Sequence, residues 1–351
     1  MDFKTFKPPT IYLSAKVHEA IKTPTPMKVD PPRFPFLTLS KDGTIVPHMC
    51  ESFYVRQVRA GQIFPKESLI FGFYREGFSN KRGDDMTCKV SGADVNFKCN
   101  EMFFKFACSA LHKDEEHMLK TWASKDFKEC TRSSRDIKNF DKETWDRISG
   151  DVMIAGCIRK LLGLCTYDYC KFLIALAAKA GVAASDIYFF EINDNDIWAT
   201  NQNSVREFAA VVDQLAENGL EYELYNCFRP DLFAAPHPFP GHNKMGVCLS
   251  AALVGVFGED GRHVAMNADE QLELLSDKMS VFQLETSVEC TETMPSPSSL
   301  KRTYSDASDE PAHRRRRSDS PSPESMQLSQ VASRTVSAVD HGVKFADADE
   351  A

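Results

Sequence analysis

The apolar residues of this chain recur with a helical period through most of its middle part. From Glu101 onwards, residues such as Phe103 and Ala107 lie four positions apart and would share one face of a helix. Glycine follows two of the predicted helices, at Gly181 and Gly219, where it is a common stop signal. The pattern predicts helices that begin at Glu101 and after Asp141, and helices over Tyr169–Ala180, Ser204–Asn218, Val247–Phe257 and Glu270–Leu284.

Strands are predicted where short runs are rich in aromatic and β-branched residues. Ser68–Tyr74 (SLIFGFY) and Ile187–Phe190 (IYFF) fit this description. A hairpin is predicted around Asp42-Gly43, and Lys89–Phe97 is a further strand region with Gly92 in a turn. We therefore expect an α+β fold in which helices predominate.

Composition divides the 351 residues into a globular part and a tail. Hydrophobic residues make up 42% of the chain, which is enough for a substantial core. From 290 to 351 the chain is rich in Ser, Pro, Asp and Glu, so we predict a disordered tail. Before it we predict an N-terminal extension (1–66) with a possible hairpin, a domain (67–265) with an insertion at 200–240, and an additional helix within 266–289.

Charge and cysteine content exclude several classes of protein. The net charge of −8 argues against a general nucleic-acid binder. The 11 cysteines show no CxxC pair, which predicts reduced thiols and neither a disulfide framework nor a metal site. No apolar run is long enough to span a bilayer, and no secretory signal precedes the domain. We expect no membrane association and no cofactor.

The tail carries two basic clusters separated by an acidic spacer, KRTYSDASDEPAHRRRR. This spacing is typical of a bipartite nuclear import signal, and predicts an import receptor as partner. The alternative is a charged, solvated tail. We expect the protein in the nucleus and leave the cytoplasm open. The basic residues are Lys301, Arg302, Arg314, Arg315, Arg316 and Arg317.

Candidate chemistry is concentrated in Ile187–Trp198, IYFFEINDNDIW. Strands rarely end in carboxylates such as Glu191, and surface loops rarely carry a tryptophan such as Trp198. The combination predicts a pocket with an aromatic wall for a flat ring, and carboxylates near a bond that breaks through a cationic transition state. A second segment, GHNKMG at Gly241–Gly246, begins an apolar helix and could hold phosphate.

Several motifs follow one another between Ser68 and Phe257. They are Phe73-Tyr74, Phe78-Ser79-Asn80, EMFFKFACSA from Glu101, CTRSSRD at Cys130–Asp136, Trp145 with DVM at Asp151–Met153, Trp198 behind an acidic turn, and GHNKMG. This succession resembles the NADAR (YbiA-like) family. Its members typically carry an E-H-Y-x-Q-A-x-K helix start, a W-x-x-V-x-x-x-V-M helix, a D-x-x-W-G turn and a G-x-N-x-L-G helix entry.

The resemblance implies an N-glycosidase, an enzyme that cleaves a ribose-to-nitrogen bond. Members of the family act on early riboflavin-pathway intermediates or remove ADP-ribose from modified guanine in nucleic acid. The expected ligand is therefore ADP-ribose-like or another nucleotide, with nucleic acid only as a modified substrate. Such cleavage requires a carboxylate or amine near the sugar C1, a donor to the leaving base and a cradle for phosphate.

Three residues match the expected sugar and base contacts. Glu101 would stabilise the oxocarbenium ion or position a water; otherwise it is a first-turn acid favoured by the helix dipole. Asn80 would bind the sugar or a base edge; otherwise it is a turn residue. Trp198 would stack on a ring, and core packing is its alternative role.

Four further residues match the expected phosphate contacts. Arg132 and Arg135 in the basic stretch would clamp a phosphate, unless they belong to a solvated loop. Gly241 and Asn243 match the helix entry, where free N–H groups bind anions. Glycine there equally serves a turn.

The chain departs from the family at two positions that matter for catalysis. Cys108 occupies the position of the family lysine, and cysteine cannot form the same iminium; Lys105, on the same helical face, could substitute. Asn195 occupies the position of the aspartate in the D-x-x-W turn, with Asp196 beside it. The catalytic candidates are thus Glu101, Lys105 and Asp196.

Two hypotheses follow. The first is a NADAR-fold protein with degenerate chemistry that serves as a ligand-binding or protein-interaction module in a nuclear complex. Its partners would bind through the 200–240 insertion and the tail. The second is an active N-glycosidase that hydrolyses a ribose–base bond. A sequence-specific nucleic-acid binder is a weaker third possibility, because the basic clusters lie in the tail.

Overall fold

We describe the protein in a computed structural model. It describes residues 3, 5–22, 33–59, 66–75, 77–82, 86–125, 129–130, 136–228 and 238–285. All of the described residues belong to one compact unit, Met1–Glu289. The predicted tail and all of its basic residues lie outside the described residues, and the import signal therefore stays a prediction.

The described part is a mixed α/β fold in which helices outweigh strands. Its strands are β1 (Ile11–Leu13), β2 (His48–Met49), β3 (Phe53–Val58), β4 (Ser68–Phe73), β5 (Met86–Val90), β6 (Ala93–Phe97), β7 (Ile187–Glu191) and β8 (Phe282–Leu284). Its helices are α1 (Ala15–Ile21), α2 (Asn100–Leu111), α3 (Glu115–Ala123), α4 (Lys142–Leu161), α5 (Leu164–Lys179), α6 (Val205–Glu217), α7 (Tyr222–Asn226), α8 (Lys244–Phe257), α9 (Ala268–Leu274) and α10 (Ser276–Met279).

A four-stranded sheet with the order β2-β3-β4-β7 forms the centre of the described fold. β3 is antiparallel to both neighbours, whereas β4 and β7 are parallel, with Phe73 opposite Glu191. Every residue of β4 and β7 is buried, which explains why the two strands are apolar except for Ser68 and Glu191 at their ends. Because they are parallel, the loops after β4 and β7 leave the sheet at the same edge.

Helices cover both faces of this sheet. Alternate β7 residues enter different cores: Phe189 belongs to a larger cluster with α2, α4, α5 and α8, and Phe190 to a smaller one with α6 and α7. The described residues of the predicted insertion (200–240) therefore supply the second layer. Its apolar residues Phe208, Leu224 and Phe239 are buried inside the chain. Among the described residues of this segment, few apolar side chains are exposed for contact with a partner.

The described residues of the predicted N-terminal extension (1–66) pack into the same core as the domain. β3 lies inside the central sheet, and Leu13 and Val17 are fully buried. Ser14 caps α1 by accepting a hydrogen bond from the Val17 N–H. The predicted hairpin at Asp42-Gly43 is present only as a turn beside an isolated bridge between Leu39 and Ile45.

The helix predicted over Glu270–Leu284 is confirmed only over its first part. α9 ends at Leu274, α10 is a single turn, and Phe282–Leu284 is strand β8, parallel to β1. Phe282 is buried against Phe97, Phe103 and Phe106. Pairing with a strand about 270 residues away outweighs the local helical pattern, because the pairing buries this aromatic ring.

The other predicted helices are confirmed with shifted ends. Asp141 caps α4 by accepting from the Glu143 N–H, and Ser204 caps α6. The β5–β6 hairpin turns at Gly92, whose φ of 83° favours glycine. Among the described helices none is alone long and apolar enough to cross a membrane. Lys142–Leu161 and Cys165–Lys179 meet that test only as a pair bent by 90°.

Candidate functional site

The predicted motifs meet at the carboxyl ends of β4 and β7. The turn at Phe78–Lys81 follows β4, and residues 192–200 follow β7. The N-terminus of α2 adjoins the first of these turns, since the Glu101 N–H donates to the Asn80 carbonyl at 3.0 Å. Parallel strands of α/β sheets commonly place ligand-binding residues at this edge.

Glu191 is the most unusual side chain at this edge. It ends β7 and is only 6% exposed. Burial raises the pKa of its carboxyl from 4.5 to about 8, and the nearby Glu101 carboxylate contributes in the same direction. Lys81, Lys160 and a hydrogen bond from Asn193 oppose this shift in pKa. Near neutral pH, Glu191 therefore retains its proton.

Glu101 and Lys105 form an ion pair one helical turn apart on α2. Their side chains are 15% and 25% exposed, and the Lys105 Nζ lies 3.9 Å from the Glu101 Oε1. Glu101 sits in the first turn, where the helix dipole favours a carboxylate. The site thus holds two carboxyl groups in different environments, one buried with a raised pKa and the other paired with an ammonium.

A fully buried lysine, Lys160, acts electrostatically on Glu191. It lies on α4, has no exposed surface, and lowers the pKa of Glu191. Asn80 is also buried, in a network with Asn100. The Asn80 Oδ1 accepts from the Asn100 Nδ2 at 2.7 Å, and the Asn80 Nδ2 approaches the Met245 Sδ at 3.1 Å. Both polar ends of Asn80 are therefore engaged with the protein, which favours its structural role.

Trp198 is held in place by the acidic turn and by α2. Asn195 Oδ1 accepts from the N–H groups of Ile197 and Trp198, at 3.0 and 2.7 Å. An amide oxygen thus fulfils the turn-forming role of the aspartate expected at this position. The indole packs edge-to-face on the Phe104 ring, with 5.0 Å between the two ring centroids. The Lys244 ammonium lies 4.9 Å from the centroid of the Trp198 ring.

The segment at Gly241–Gly246 does not form the predicted phosphate cradle. The backbone N–H groups of His242, Asn243, Lys244 and Met245 donate to carbonyls of Asp196, Ala199, Ile197 and Trp198. These donors are therefore not free for an anion. Gly241 is instead required for close approach, because a Cβ there would lie 2.2 Å from the Ala199 carbonyl oxygen.

Asn243 joins α8 to β7. It is fully buried with a left-handed φ of 50°, a conformation that asparagine tolerates. Its Oδ1 accepts from the Glu191 N–H, and its Nδ2 donates to the Phe189 carbonyl, both at 3.0 Å. The predicted ligand contact of Asn243 is thus replaced by a role in fixing the strand end that carries Glu191.

Asp196, predicted as catalytic, lies at the surface and accepts a hydrogen bond from Asn201 at 2.5 Å. The buried carboxyl is Glu191, which sequence reasoning placed in the segment but not among the catalytic candidates. The sequence does indicate this burial, because Glu191 directly follows the apolar run IYFF. Arg132 and Arg135 lie outside the described residues, and their phosphate contact stays a prediction.

Cys108 is no substitute for a lysine nucleophile. It is buried on α2, and burial raises the pKa of its thiol to about 12, although the nearby Lys105 lowers it. The thiol is therefore protonated at neutral pH. Among the described residues, no group of three or more His, Cys, Asp or Glu side chains is arranged to hold a metal ion.

Comparison with known proteins does not assign this chain to a family. The sequence matches no model of a known protein family, and no characterised protein is significantly similar to it. The function of the site is therefore inferred from its own geometry and from the motif resemblance.

Proposed function

We propose that this chain is a NADAR-like N-glycosidase that hydrolyses the bond between a ribose C1 and a base nitrogen of a nucleotide. The observation that carries the proposal is the pairing of unlike carboxyls: Glu191, buried with its pKa raised to about 8, near Glu101, paired with Lys105. Two carboxyls in unlike environments, one of them buried, are typical of the acid and the carboxylate that act on one glycosidic bond.

In the proposed reaction Glu191 acts as general acid. It gives its proton to the leaving base nitrogen as the bond from that nitrogen to the sugar C1 breaks. The Glu101 carboxylate stabilises the positive charge that develops on the sugar. Water then forms a bond to C1 and passes a proton to Glu101, and exchange with solvent restores both carboxyls. No covalent amine intermediate is needed, which accommodates cysteine at position 108.

A second candidate is a binding module without turnover, and Cys108 favours it. The resemblance implies a lysine at this position, and the buried thiol supplies neither an amine nor a thiolate at neutral pH. Lys105 is the nearest amine on the same helix, and it is already paired with Glu101. In this second proposal the site retains a nucleotide ligand, and the protein acts through its partners in a nuclear complex.

The two proposals are separated by an assay of the full chain with oligonucleotides that carry ADP-ribosyl-guanine, with release of ADP-ribose as the readout. We expect release in the wild type and a loss of roughly 100-fold or more in Glu191→Gln and Glu101→Gln. The rate should also fall above about pH 8, where the Glu191 carboxyl loses its proton.

Asp194→Asn is the matched control, because Asp194 is an exposed carboxylate on the same turn. It should retain the wild-type rate. Binding of ADP-ribose without release from any ribosyl substrate would exclude the enzyme and favour the binding module. Equal rates in Glu191→Gln and the wild type would exclude Glu191 as the acid.

A further inference from the structure

Helix α5 is exposed to solvent along one face. The opposite face, with Leu173 and Ala177, is buried in the larger apolar cluster. The exposed residues are spaced four, three and four positions apart, which aligns them along one side of a helix. This face therefore carries an acid at one end, a base at the other end and apolar side chains between them. Its members are Asp168, Phe172, Ala175 and Lys179.

Phe36 extends the apolar middle of this face. It is 78% exposed, more than any other large hydrophobic side chain among the described residues. Its ring stacks on the ring of Phe172, with 6.1 Å between the two centroids. Phe172 also contacts the ring of Tyr169, which stacks on Phe34 at a centroid distance of 4.1 Å. Inner rings thus hold two exposed rings in place, and an ordered apolar patch of this kind is typical of an interaction surface.

The charges at the two ends of this face have no partner in the described part of the chain. Neither Asp168 nor Lys179 forms an ion pair or a side-chain hydrogen bond with a described residue. The helix dipole favours Lys179, which lies in the last turn of α5, but Asp168 lies beyond the first turn, where the dipole has little effect. A surface that binds here would best present the opposite charges in the reverse order.

We propose that α5 and Phe36 form an interface through which two copies of this chain pair about a two-fold axis. In an antiparallel pair of α5 helices centred between Phe172 and Ala175, Asp168 of each copy faces Lys179 of the other. The same register places the large Phe172 of each copy against the small Ala175 of the other. The face is therefore complementary to itself in charge and in size, which selects a second copy as its occupant.

Sedimentation velocity of the full-length protein over a series of concentrations tests the proposal. One helix pair with a flanking ring on each side is a small interface, so we expect a monomer–dimer equilibrium in roughly the micromolar range. Phe36→Ser should weaken the dimer by about tenfold or more. Because most of the Phe36 side chain is exposed, the melting temperature of this variant should equal that of the wild type.

Reversal of single charges tests the antiparallel register. Asp168→Lys alone, or Lys179→Asp alone, should remove most of the dimer, because like charges then face each other at both ends. An equimolar mixture of the two variants should restore it, since one variant carries only bases at these two positions and the other only acids. Glu217→Lys is the matched control: it reverses an exposed acid on α6, which covers the other face of the sheet, and should dimerise like the wild type.

A wild-type protein that stays monomeric up to about 100 μM would overturn the proposal and leave the exposed rings to a different partner. A dimer that is equally stable in Phe36→Ser and in both charge reversals would have its interface elsewhere, which equally overturns it. A mixture of the two charge reversals that remains monomeric, with both melting temperatures unchanged, would exclude the antiparallel pairing of α5.

Discussion

At the scale of single residues, Glu191 makes stability depend on pH in an unusual direction. Its pKa rises from 4.5 to about 8 on folding, so the folded state binds the extra proton between these values. Stability from this group is complete below pH 4.5, declines as the pH rises, and is lost above about pH 8. A carboxyl whose pKa is lowered by an ion pair in the folded state behaves in the opposite way, because its contribution to stability is lost as the pH falls.

We therefore predict that Glu191→Gln flattens this part of the pH dependence. Glutamine resembles the protonated acid and carries no charge at any pH. The free energy of unfolding of the wild type, minus that of the variant, should fall by up to about 1.4 kcal/mol per pH unit in this window. Urea denaturation of both proteins from about pH 5 to about pH 9 measures the difference. Parallel curves would show that the proton is not retained.

The same residue shows what sequence alone could and could not give. The sequence pattern points to the segment Ile187–Trp198, and the structure places Trp198 beside α2. The catalytic role of Asp196 stays a prediction, and the structure adds Glu191 as the buried carboxyl of the same segment. Only the structure shows that Glu191 still lies between buried layers, while Asp196 reaches solvent five residues later.

At the scale of elements, close packing of α8 on β7 fixes the strand end that carries Glu191. A Cβ at Gly246 would lie 2.0 Å from the Phe189 carbonyl oxygen, which belongs to backbone and cannot move aside cheaply. We predict that Gly246→Ala destabilises the protein by about 1–3 kcal/mol, despite the better helix propensity of alanine. Urea denaturation monitored by circular dichroism provides the measurement.

Gly150→Ala is the matched control within α4. The nearest atom to a Cβ at Gly150 is the Lys244 Cε at 3.7 Å, an ordinary contact. Helix propensity should then dominate, and stability should stay equal or rise by up to about 1 kcal/mol. If Gly246→Ala changed stability no more than Gly150→Ala does, this result would contradict the close approach of α8 to β7.

The elements that sequence predicted well are those whose pattern is local. α2, α4 and α6 follow from apolar period and capping residues, and β4 and β7 from continuous apolar runs. β8 could not be predicted this way, because it exists through pairing with β1 at the far end of the unit. β3 was missed for the same reason: FYVRQV becomes a central strand only between β2 and β4.

At the scale of the whole molecule, helices of the described unit cover both faces of its central sheet. The segment at 200–240 contributes α6 and α7 to the second face, with Tyr54 donating to Asp213 at 2.7 Å. Its described apolar residues thus stabilise the fold.

The tail supplies the last prediction. Lys301-Arg302 and Arg314–Arg317 are two basic clusters separated by an acidic spacer, which is the spacing that an import receptor binds. We predict that replacing the four residues Arg314–Arg317 with alanine shifts a fluorescent fusion of the full chain from the nucleus to the cytoplasm. The matched control replaces Arg56 and Arg59, which pair with Asp213 and Asp42 on the described unit and lie outside the proposed signal. Unchanged nuclear accumulation without the four arginines would assign them to a solvated tail, and leave the site chemistry unaffected.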